Sequence, residues 1–335
     1  MTIKVGINGF GRIGKNVLKA WFEGNREIEI VAINSTSGPE KHAHIFKYDS
    51  LYGVFGEKVQ SDKDSITIGE KRIRFTSFRD PAEIPWKEMG VDIVIESTGI
   101  FKDREMALKH IQAGAKKVII SAPGINEDKT IVMGVNEYEY DHGKHHVISN
   151  ASCTTNCLAP VIKILNDEFG IENGLITTVH AYTSDQRLLD LPHRDKRRSR
   201  AAAQSIIPTT TGAAKAIAKV IPNMEGKLNG MAMRVPTPVV SVVDLVANLN
   251  TNVTVEAVNS KLKEVSETYL REILGYCEEP LVSIDFKKDS RSSIVDALST
   301  MQIGEKTIKV ISWYDNEWGY SNRIIDLAAY IAKFM

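Results

Sequence analysis

Cysteine is scarce in this chain, with Cys153, Cys157 and Cys277 the only three among 335 residues. Three thiols so placed cannot frame a disulfide-stapled fold. No CxxC or HExxH occurs, and Cys153 and Cys157 lack companion ligands at suitable spacing, so no metal site is expected. Net charge is lacking as well. Lysine plus arginine and aspartate plus glutamate stand at 42 each, which gives no reason to expect nucleic acid or an anionic membrane as the main partner. No apolar run approaches the ~18–20 residues that a bilayer requires. Met1-Thr2-Ile3-Lys4-Val5 runs straight into a strand-like segment, without the apolar stretch and small-residue cleavage site of a signal peptide. Internal repeats and long low-complexity linkers are missing too. These absences lead to the expectation of a cytoplasmic protein with reduced thiols.

What is present is the make-up of an ordinary globular protein, 43% hydrophobic and 25% charged, in a chain long enough for two domains. The two halves follow different patterns. Up to about Asn150, short β-branched runs (Ile3–Asn8, Ile28–Ile33, Asp92–Glu96, Lys117–Ser121 and His146–Ser149) alternate with helical stretches, clearest in Gly11–Phe22 and Asp103–Ala113. Runs that are apolar on both faces and separated by helices predict a Rossmann-type, doubly wound parallel sheet. Ser65–Ile68 and Lys71–Phe75 flank Gly69-Glu70 and predict a tight hairpin within this half. After residue 150, β runs follow one another at Gly174–Tyr182, Leu228–Val235, Val239–Leu249 and Lys306–Trp313. Strands in succession, with helices predicted over Cys153–Phe169 and Thr254–Leu274, indicate an α+β domain with a mostly antiparallel sheet. The expected division is therefore 1–150 and 151–316, followed by an apolar helical stripe from Tyr320 to Met335.

Gly9-Phe10-Gly11-Arg12-Ile13-Gly14 follows the first strand and opens the first helix. A GxGxxG pattern alone is weak, but at the first strand-to-helix turn of an alternating α/β half it points to a dinucleotide phosphate loop. Gly9 serves the turn, Gly11 lets backbone approach a pyrophosphate, and Gly14 lets the helix lie close to the sheet. A tight turn that binds nothing is the bland alternative. At the end of the second strand, where an acid usually holds the ribose 2′-hydroxyl of NAD, this chain has Ser35 followed by Thr36 and Ser37. An acid there would repel a 2′-phosphate, whereas a hydroxyl can donate to one. NADP is therefore expected to be accepted and favoured, with NAD held by other contacts as the alternative.

Ser152-Cys153-Thr154 stands where a strand gives way to a helix. Cys153 in the first helical turn would meet N–H groups and a dipole end that favour a thiolate, while Cys157, a turn later, is expected to pack inside. His180, in the strand ending Thr178-Val179-His180-Ala181-Tyr182, is the candidate to stabilise that thiolate and exchange protons with substrate oxygen. A histidine merely packed in the sheet is the alternative. Anion sites could be built from Ser152, Thr154, Thr183, Asp185, the Thr209-Thr210-Thr211-Gly212 helix start, the basic run Arg194–Arg200 and Arg234. Most of the basic run reads as solvated or subunit-facing surface.

With these residues assembled, the sequence resembles the phosphorylating glyceraldehyde-3-phosphate dehydrogenase family over nearly its whole length. The likeness rests on Ile7–Gly14, Ser149–Cys157, Thr178–Thr183, Pro208–Lys215 and Trp313–Tyr320, the cysteine segment being highly specific. The resemblance implies that Cys153 attacks the aldehyde, that His180 activates it, and that the resulting thioester is cleaved by inorganic phosphate to 1,3-bisphosphoglycerate, reversibly, in glycolysis or gluconeogenesis. It implies Thr183, Asp185 and Arg234 for the phosphate of glyceraldehyde 3-phosphate. Ser152, Thr154, Thr211 and Gly212, helped by Arg198, would hold the attacking phosphate. Arg12, Ile13, Arg79, Ser121 and Asn316 would contact the cofactor. It further implies a C-terminal helix, 317–335, that returns to the cofactor domain, and a homotetramer in which Ala181–Ala203 packs near a neighbouring subunit's cofactor. NAD-specific members resemble one another in an aspartate where Ser35 stands, and the NADP-favouring gluconeogenic bacterial branch is similar to this chain in lacking it; Leu191-Pro192, however, belongs to the NAD pattern. Erythrose-4-phosphate dehydrogenase is the nearest enzyme alternative, although that group departs from the Ala-Tyr-Thr and Thr-Thr-Thr-Gly segments kept here. A non-catalytic binding protein on the same fold is the alternative of another class.

Overall fold

The computed structural model describes residues 2–24 and 27–335. Its contacts divide the chain into two compact units. The first comprises the chain to Ile131, Glu137–Ala151 and Ser321–Met335; the second comprises Val132–Asn136 and Ser152–Tyr320. Among the described residues no helix is long and apolar enough to cross a membrane.

The first unit is built on a nine-stranded sheet. In spatial order its strands are Lys129–Thr130, Val147–Ser149, Lys117–Ile120, Ile93–Glu96, Ile3–Asn8, Ile28–Asn34, Lys71–Thr76, Ser65–Ile68 and Val59–Ser61. The first seven pair in parallel, and the last two add an antiparallel edge. Every residue of Ile93–Glu96 and Lys117–Ile120 is buried. A parallel sheet covered on both faces has that pattern. The predicted hairpin is the pair Ser65–Ile68 and Lys71–Thr76, closed at Gly69, whose φ of 57° suits glycine. The helices α1 (Arg12–Glu23), α2 (Pro39–Lys47) and α3 (Arg104–Gln112) belong to this unit. The second helix does not figure in the sequence reading, although Gly38-Pro39-Glu40 carries a start pattern, with proline at the first position and an acid in the first turn.

An eight-stranded sheet forms the second unit. Its order is Ile207–Thr210, Leu228–Val235, Ile171–Ala181, Ser241–Leu249, Thr307–Tyr314, Ser293–Asp296 and Leu274–Cys277, with Met301–Ile303 pairing onto Thr307–Tyr314. Antiparallel pairs predominate, but Ile171–Ala181 runs parallel to Leu228–Val235, and Leu274–Cys277 parallel to Ser293–Asp296. Ser241–Leu249 alternates strictly between buried and half-buried residues. Helix α4 (Cys153–Phe169) packs against this strand and its neighbour Thr307–Tyr314. Helices α5 (Ala213–Val220) and α6 (Val255–Glu267) follow in this unit, whereas α7 (Trp318–Ala332) belongs from Ser321 on to the first unit. This is the expected class: an α/β unit and a mixed unit with a mostly antiparallel sheet.

Two boundaries depart from expectation for local reasons. The helix predicted over Thr254–Leu274 ends at Glu267. There Thr268 donates its hydroxyl to Glu264 O at 2.8 Å, and a side chain bonding back in this way competes with helix continuation. Leu270 and Leu274 keep the apolar spacing and are buried, but through turns and a strand. The strand predicted from Val239 starts at Ser241, because Val240 takes φ 67°, which no β-strand residue adopts. Residues 207–210, read only as leading to a helix, form an edge strand before Gly212 caps α5.

Candidate active site

In the first unit the glycine loop leaves the C-terminal end of Ile3–Asn8. Gly9 has φ 92°, and a Cβ there would stand 2.6 Å from the Thr98 amide nitrogen. A Cβ on Gly14 would come within 2.2 Å of Gly9 O, so α1 can lie this close to the loop only with glycine there. Gly11, the N-cap residue, has nothing within 4 Å of its missing side chain. No side chain caps α1 and no acid occupies its first turn. An uncapped helix start facing open space is what a pyrophosphate requires. A cavity of about 480 Å³ opens here, lined among others by Gly9, Gly11, Asn34, Ser35, Arg79 and Thr98.

Beneath that cavity the strand ends are tied by a buried polar network. Asn34 donates to Asn8 Oδ1 at 2.8 Å, and Asn8 donates to Glu96 Oε2 at 2.6 Å. His110 Nε2 stands 3.1 Å from the same carboxylate, and Trp86 Nε1 donates to His110 Nδ1 at 3.0 Å. The last bond makes Nδ1 the acceptor, so Nε2 carries the proton and donates to Glu96. His110 looks ordinary in the sequence, but it is a fully buried member of this scaffold.

The residues singled out for the cofactor are distributed as follows. Ser35 has its Oγ 2.9 Å from His42 Nε2. Arg79 lines the cavity, and Ser121 begins the loop after Lys117–Ile120, its amide bonded to Glu96 O at 2.9 Å. Arg12 turns its guanidinium to Asp49 Oδ1 at 3.0 Å, and Ile13 is half-buried on α1. Asn316 belongs to the second unit, where its Oδ1 accepts from Ser241 Oγ at 3.0 Å; Ser241 Oγ in turn accepts from the Ala181 amide at 3.0 Å. His42 carried no sequence pattern of its own, and only the fold brings it to Ser35.

In the second unit Ser152 caps α4, its Oγ accepting from the Thr155 amide at 3.1 Å. A serine cap contributes about 1 kcal/mol. The turn into it passes through Ala151 at φ 56°, a conformation uncommon for alanine. Cys153 is the first helical residue, and its Sγ lies 3.5 Å from His180 Nε2. Cys157 is buried, with its thiol near Ser293 Oγ and Ser312 O. Because Ile171–Ala181 and Leu228–Val235 pair in parallel, His180 and Arg234 are register partners. Arg234 Nη1 stands 2.7 Å from His180 Nδ1, donates to Ala181 O at 2.9 Å, and reaches Thr183 Oγ1 at 3.3 Å. Thr183 in turn donates to Asp185. Arg198 links Asp185 at 2.7 Å to Thr209 Oγ1 at 2.9 Å. Thr211 Oγ1 accepts from the Ala213 amide at 3.2 Å, beside Gly212. Tyr314, quoted in the sequence only as part of a longer segment, bridges Thr154 and Thr178 through its hydroxyl and meets the His180 ring edge-on.

Opposing influences act on the Cys153 thiol expected to ionise at this helix start. Burial pushes the Cys153 thiol up, against the opposing pull of Arg234 and of the Thr154 hydroxyl and amide. Burial also lowers His180 to about 3, with Arg234 adding to the effect. The helix start favours a thiolate, while desolvation disfavours the charge. His180 Nδ1 stands between two partners that call for opposite tautomers: the Arg234 guanidinium, at 2.7 Å, only donates, and Ala181 O, at 2.7 Å, only accepts. Asp185 is held below the ordinary carboxylate range: burial would raise it, but the Thr183 hydroxyl and the Arg234 and Arg198 charges prevail.

A dinucleotide loop on a parallel sheet, in a chain whose second unit brings a cysteine to a histidine, places the chain among nicotinamide-dependent oxidoreductases. Comparison with known proteins narrows the class. Residues 3–104 match the NAD binding domain of glyceraldehyde 3-phosphate dehydrogenase, and residues 152–316 match its C-terminal domain. The chain is 61% identical to glyceraldehyde-3-phosphate dehydrogenase of Geobacillus stearothermophilus, over 99% of both chains. It is 60% identical, again over 99% of both, to glyceraldehyde-3-phosphate dehydrogenase 1 of Bacillus subtilis (strain 168). With glyceraldehyde-3-phosphate dehydrogenase 2 of that strain it shares 52% identity, over all of this chain and 98% of the other. The chain belongs to the glyceraldehyde-3-phosphate dehydrogenase family.

Proposed function

We propose that this chain oxidises glyceraldehyde 3-phosphate with inorganic phosphate, giving 1,3-bisphosphoglycerate, and that Cys153 and His180 carry the chemistry. The observation behind the reading is the 3.5 Å approach of the Cys153 sulfur to His180 Nε2 at the start of α4. The Cys153 thiol proton passes to His180 Nε2 as Sγ bonds the aldehyde carbon, and the imidazolium hands that proton to the carbonyl oxygen, giving a hemithioacetal. A nicotinamide, when bound, would supply the hydride acceptor, and His180 is placed to take the hemithioacetal's hydroxyl proton as the thioester forms. An oxygen of inorganic phosphate then attacks the acyl carbon, and the sulfur leaves as a thiolate. Thr183, Asp185 and Arg234 are assigned to the substrate's own phosphate. Ser152, Thr154, Thr211, Gly212 and Arg198 are assigned to the attacking one.

Arg234 gives the resting pair a route to activation. While it donates to Nδ1, the ring cannot take the thiol proton at Nε2. Drawn onto a substrate phosphate, it frees Nδ1 to carry hydrogen toward Ala181 O, which is 2.7 Å away, and Nε2 becomes the base. Substrate binding and thiol ionisation are linked by this arginine.

The glycine loop (Gly9, Gly11, Gly14) and Ser35 are assigned to the adenosine side of the cofactor, Arg12, Ile13, Arg79 and Ser121 to further contacts with it, and Asn316 to the carboxamide. NADP is the favoured cofactor, because a neutral hydroxyl stands where an acid would repel the 2′-phosphate. The exposed Leu188, Leu189 and Leu191, at 80%, 66% and 60%, support a homotetramer that covers this segment. Three free thiols suit the cytoplasm.

The test is turnover of glyceraldehyde 3-phosphate with and without inorganic phosphate, in the chain as it stands and in Cys153→Ala. Expected are strict dependence on phosphate and loss of activity in the variant. Turnover without phosphate would favour erythrose-4-phosphate dehydrogenase-like hydrolysis, and an active Cys153→Ala would remove the thiol from the reaction.

A further inference from the structure

The Ser35 hydroxyl does not act alone. Its Oγ lies 2.9 Å from Nε2 of His42, a residue of α2 that also lines the cofactor cavity. The His42 ring is buried, 5.5 Å from the Phe10 ring and 5.6 Å from that of Phe75. Its Nδ1 is buried with no hydrogen-bond partner. Lys15 of α1 is the charged group that bears on it. Phe10, Phe75 and Ser35, from the other segments packed around the ring, bring no charge.

The orphaned Nδ1 decides between two neutral tautomers. With hydrogen on Nδ1, an N–H would be buried unpaired, and Nε2 would consume the serine proton. With hydrogen on Nε2, the ring donates to Ser35 Oγ and only an acceptor lone pair is left bare. An unpaired buried donor is the rarer outcome in proteins. The ring therefore donates, and the Ser35 O–H is turned away from His42 as a donor. A donor at the end of the second strand suits an anionic oxygen on the ribose 2′ position. Burial and Lys15 hold His42 down at about 4, so it is neutral while nothing anionic is near. A phosphate dianion bonded to Ser35 would favour the charged ring, its charge offsetting the cost of the unpaired N–H then carried on Nδ1.

We propose that His42 is a specificity-determining residue of the adenosine site: it sets Ser35 as a donor and becomes a cation when a 2′-phosphorylated adenosine binds. This rests on the reading that Ser35 stands at the ribose 2′ position. The experiment is calorimetric titration of the full chain with adenosine 2′,5′-bisphosphate and with adenosine 5′-monophosphate, in buffers of different ionisation enthalpy. The comparison includes His42→Phe, which fills the space between the two phenylalanines without a ring nitrogen, His42→Gln as a smaller polar change, and Ser35→Ala. The unmodified chain is expected to prefer the bisphosphate and to take up more protons than the ligand's own titration supplies. Both His42 variants are expected to lose about tenfold in bisphosphate affinity, keep their affinity for the monophosphate, and show no protein proton uptake. Bisphosphate affinity unchanged in variants that still bind monophosphate would overturn the role of His42. Were Ser35→Ala weakened while the His42 variants were not, the serine assignment would survive and the histidine role would fall. Equal affinity for both ligands in the unmodified chain, unaltered by Ser35→Ala, would overturn both.

Discussion

Arg234 is the residue on which the state of the Cys153–His180 pair turns. It faces Nδ1 at 2.7 Å and adds to the burial that lowers the ring to about 3. Removing its charge has opposed effects, since Arg234 also pulls the thiol down against burial. A phosphate ester distinguishes them. In the unmodified chain, glycerol 3-phosphate should draw Arg234 off the ring and speed alkylation of Cys153 by iodoacetamide at pH 7, by roughly tenfold if one charge-assisted contact is exchanged. In Arg234→Leu the ester should leave the rate unchanged. Acceleration that persists in Arg234→Leu would mean the anion acts elsewhere, for example through Arg198.

At the level of elements, the junction of Ile3–Asn8 with α1 makes two kinds of glycine distinguishable. Gly14 is required by packing, because a Cβ would overlap Gly9 O at 2.2 Å. Gly14→Ala should cost about 1–3 kcal/mol in denaturant unfolding and weaken dinucleotide binding as α1 shifts. Gly11 is required by the ligand alone, since nothing lies within 4 Å of its missing Cβ and its φ is −77°. Gly11→Ala should unfold like the parent while losing affinity for the dinucleotide by calorimetry. A fall in stability equal to that of Gly14→Ala would show that the loop is not held as described. These glycines were legible because strand, loop and helix are contiguous in sequence. The cysteine at the start of α4 was legible for the same reason. Arg234 was recognised as a basic residue ending a strand, but its place on His180 comes from a parallel register between strands more than forty residues apart, which no local pattern encodes. His42 was invisible for a related reason. It sits on a nine-residue helix that does not figure in the sequence reading, and the contact with Ser35 comes from how that helix packs. The helix predicted to Leu274 failed the other way: apolar spacing persisted where a threonine had already ended the helix.

Across the whole molecule, two buried histidines held neutral give acid sensitivity a definite window. His180 is lowered to about 3 and His42 to about 4 by burial, with Arg234 and Lys15 respectively adding to it. In the unfolded chain both titrate near the ordinary value of ~6.5. Below that pH the unfolded chain binds protons that the folded chain refuses, so stability is fully present above pH ~6.5 and falls as pH drops toward 4. The slope is at most about 1.4 kcal/mol per pH unit for each ring. His42→Phe removes one of the two, so its denaturant midpoint should fall less steeply between pH 6.5 and 4.5 than that of the parent. The two curves should run parallel above pH 7. Because a 2′-phosphate is proposed to pull His42 toward its charged form, adenosine 2′,5′-bisphosphate should flatten the parent's acid slope and leave that of His42→Phe untouched. A parent slope indifferent to this ligand would separate the two roles of the ring, leaving burial to explain the acid sensitivity and removing the charge from cofactor choice.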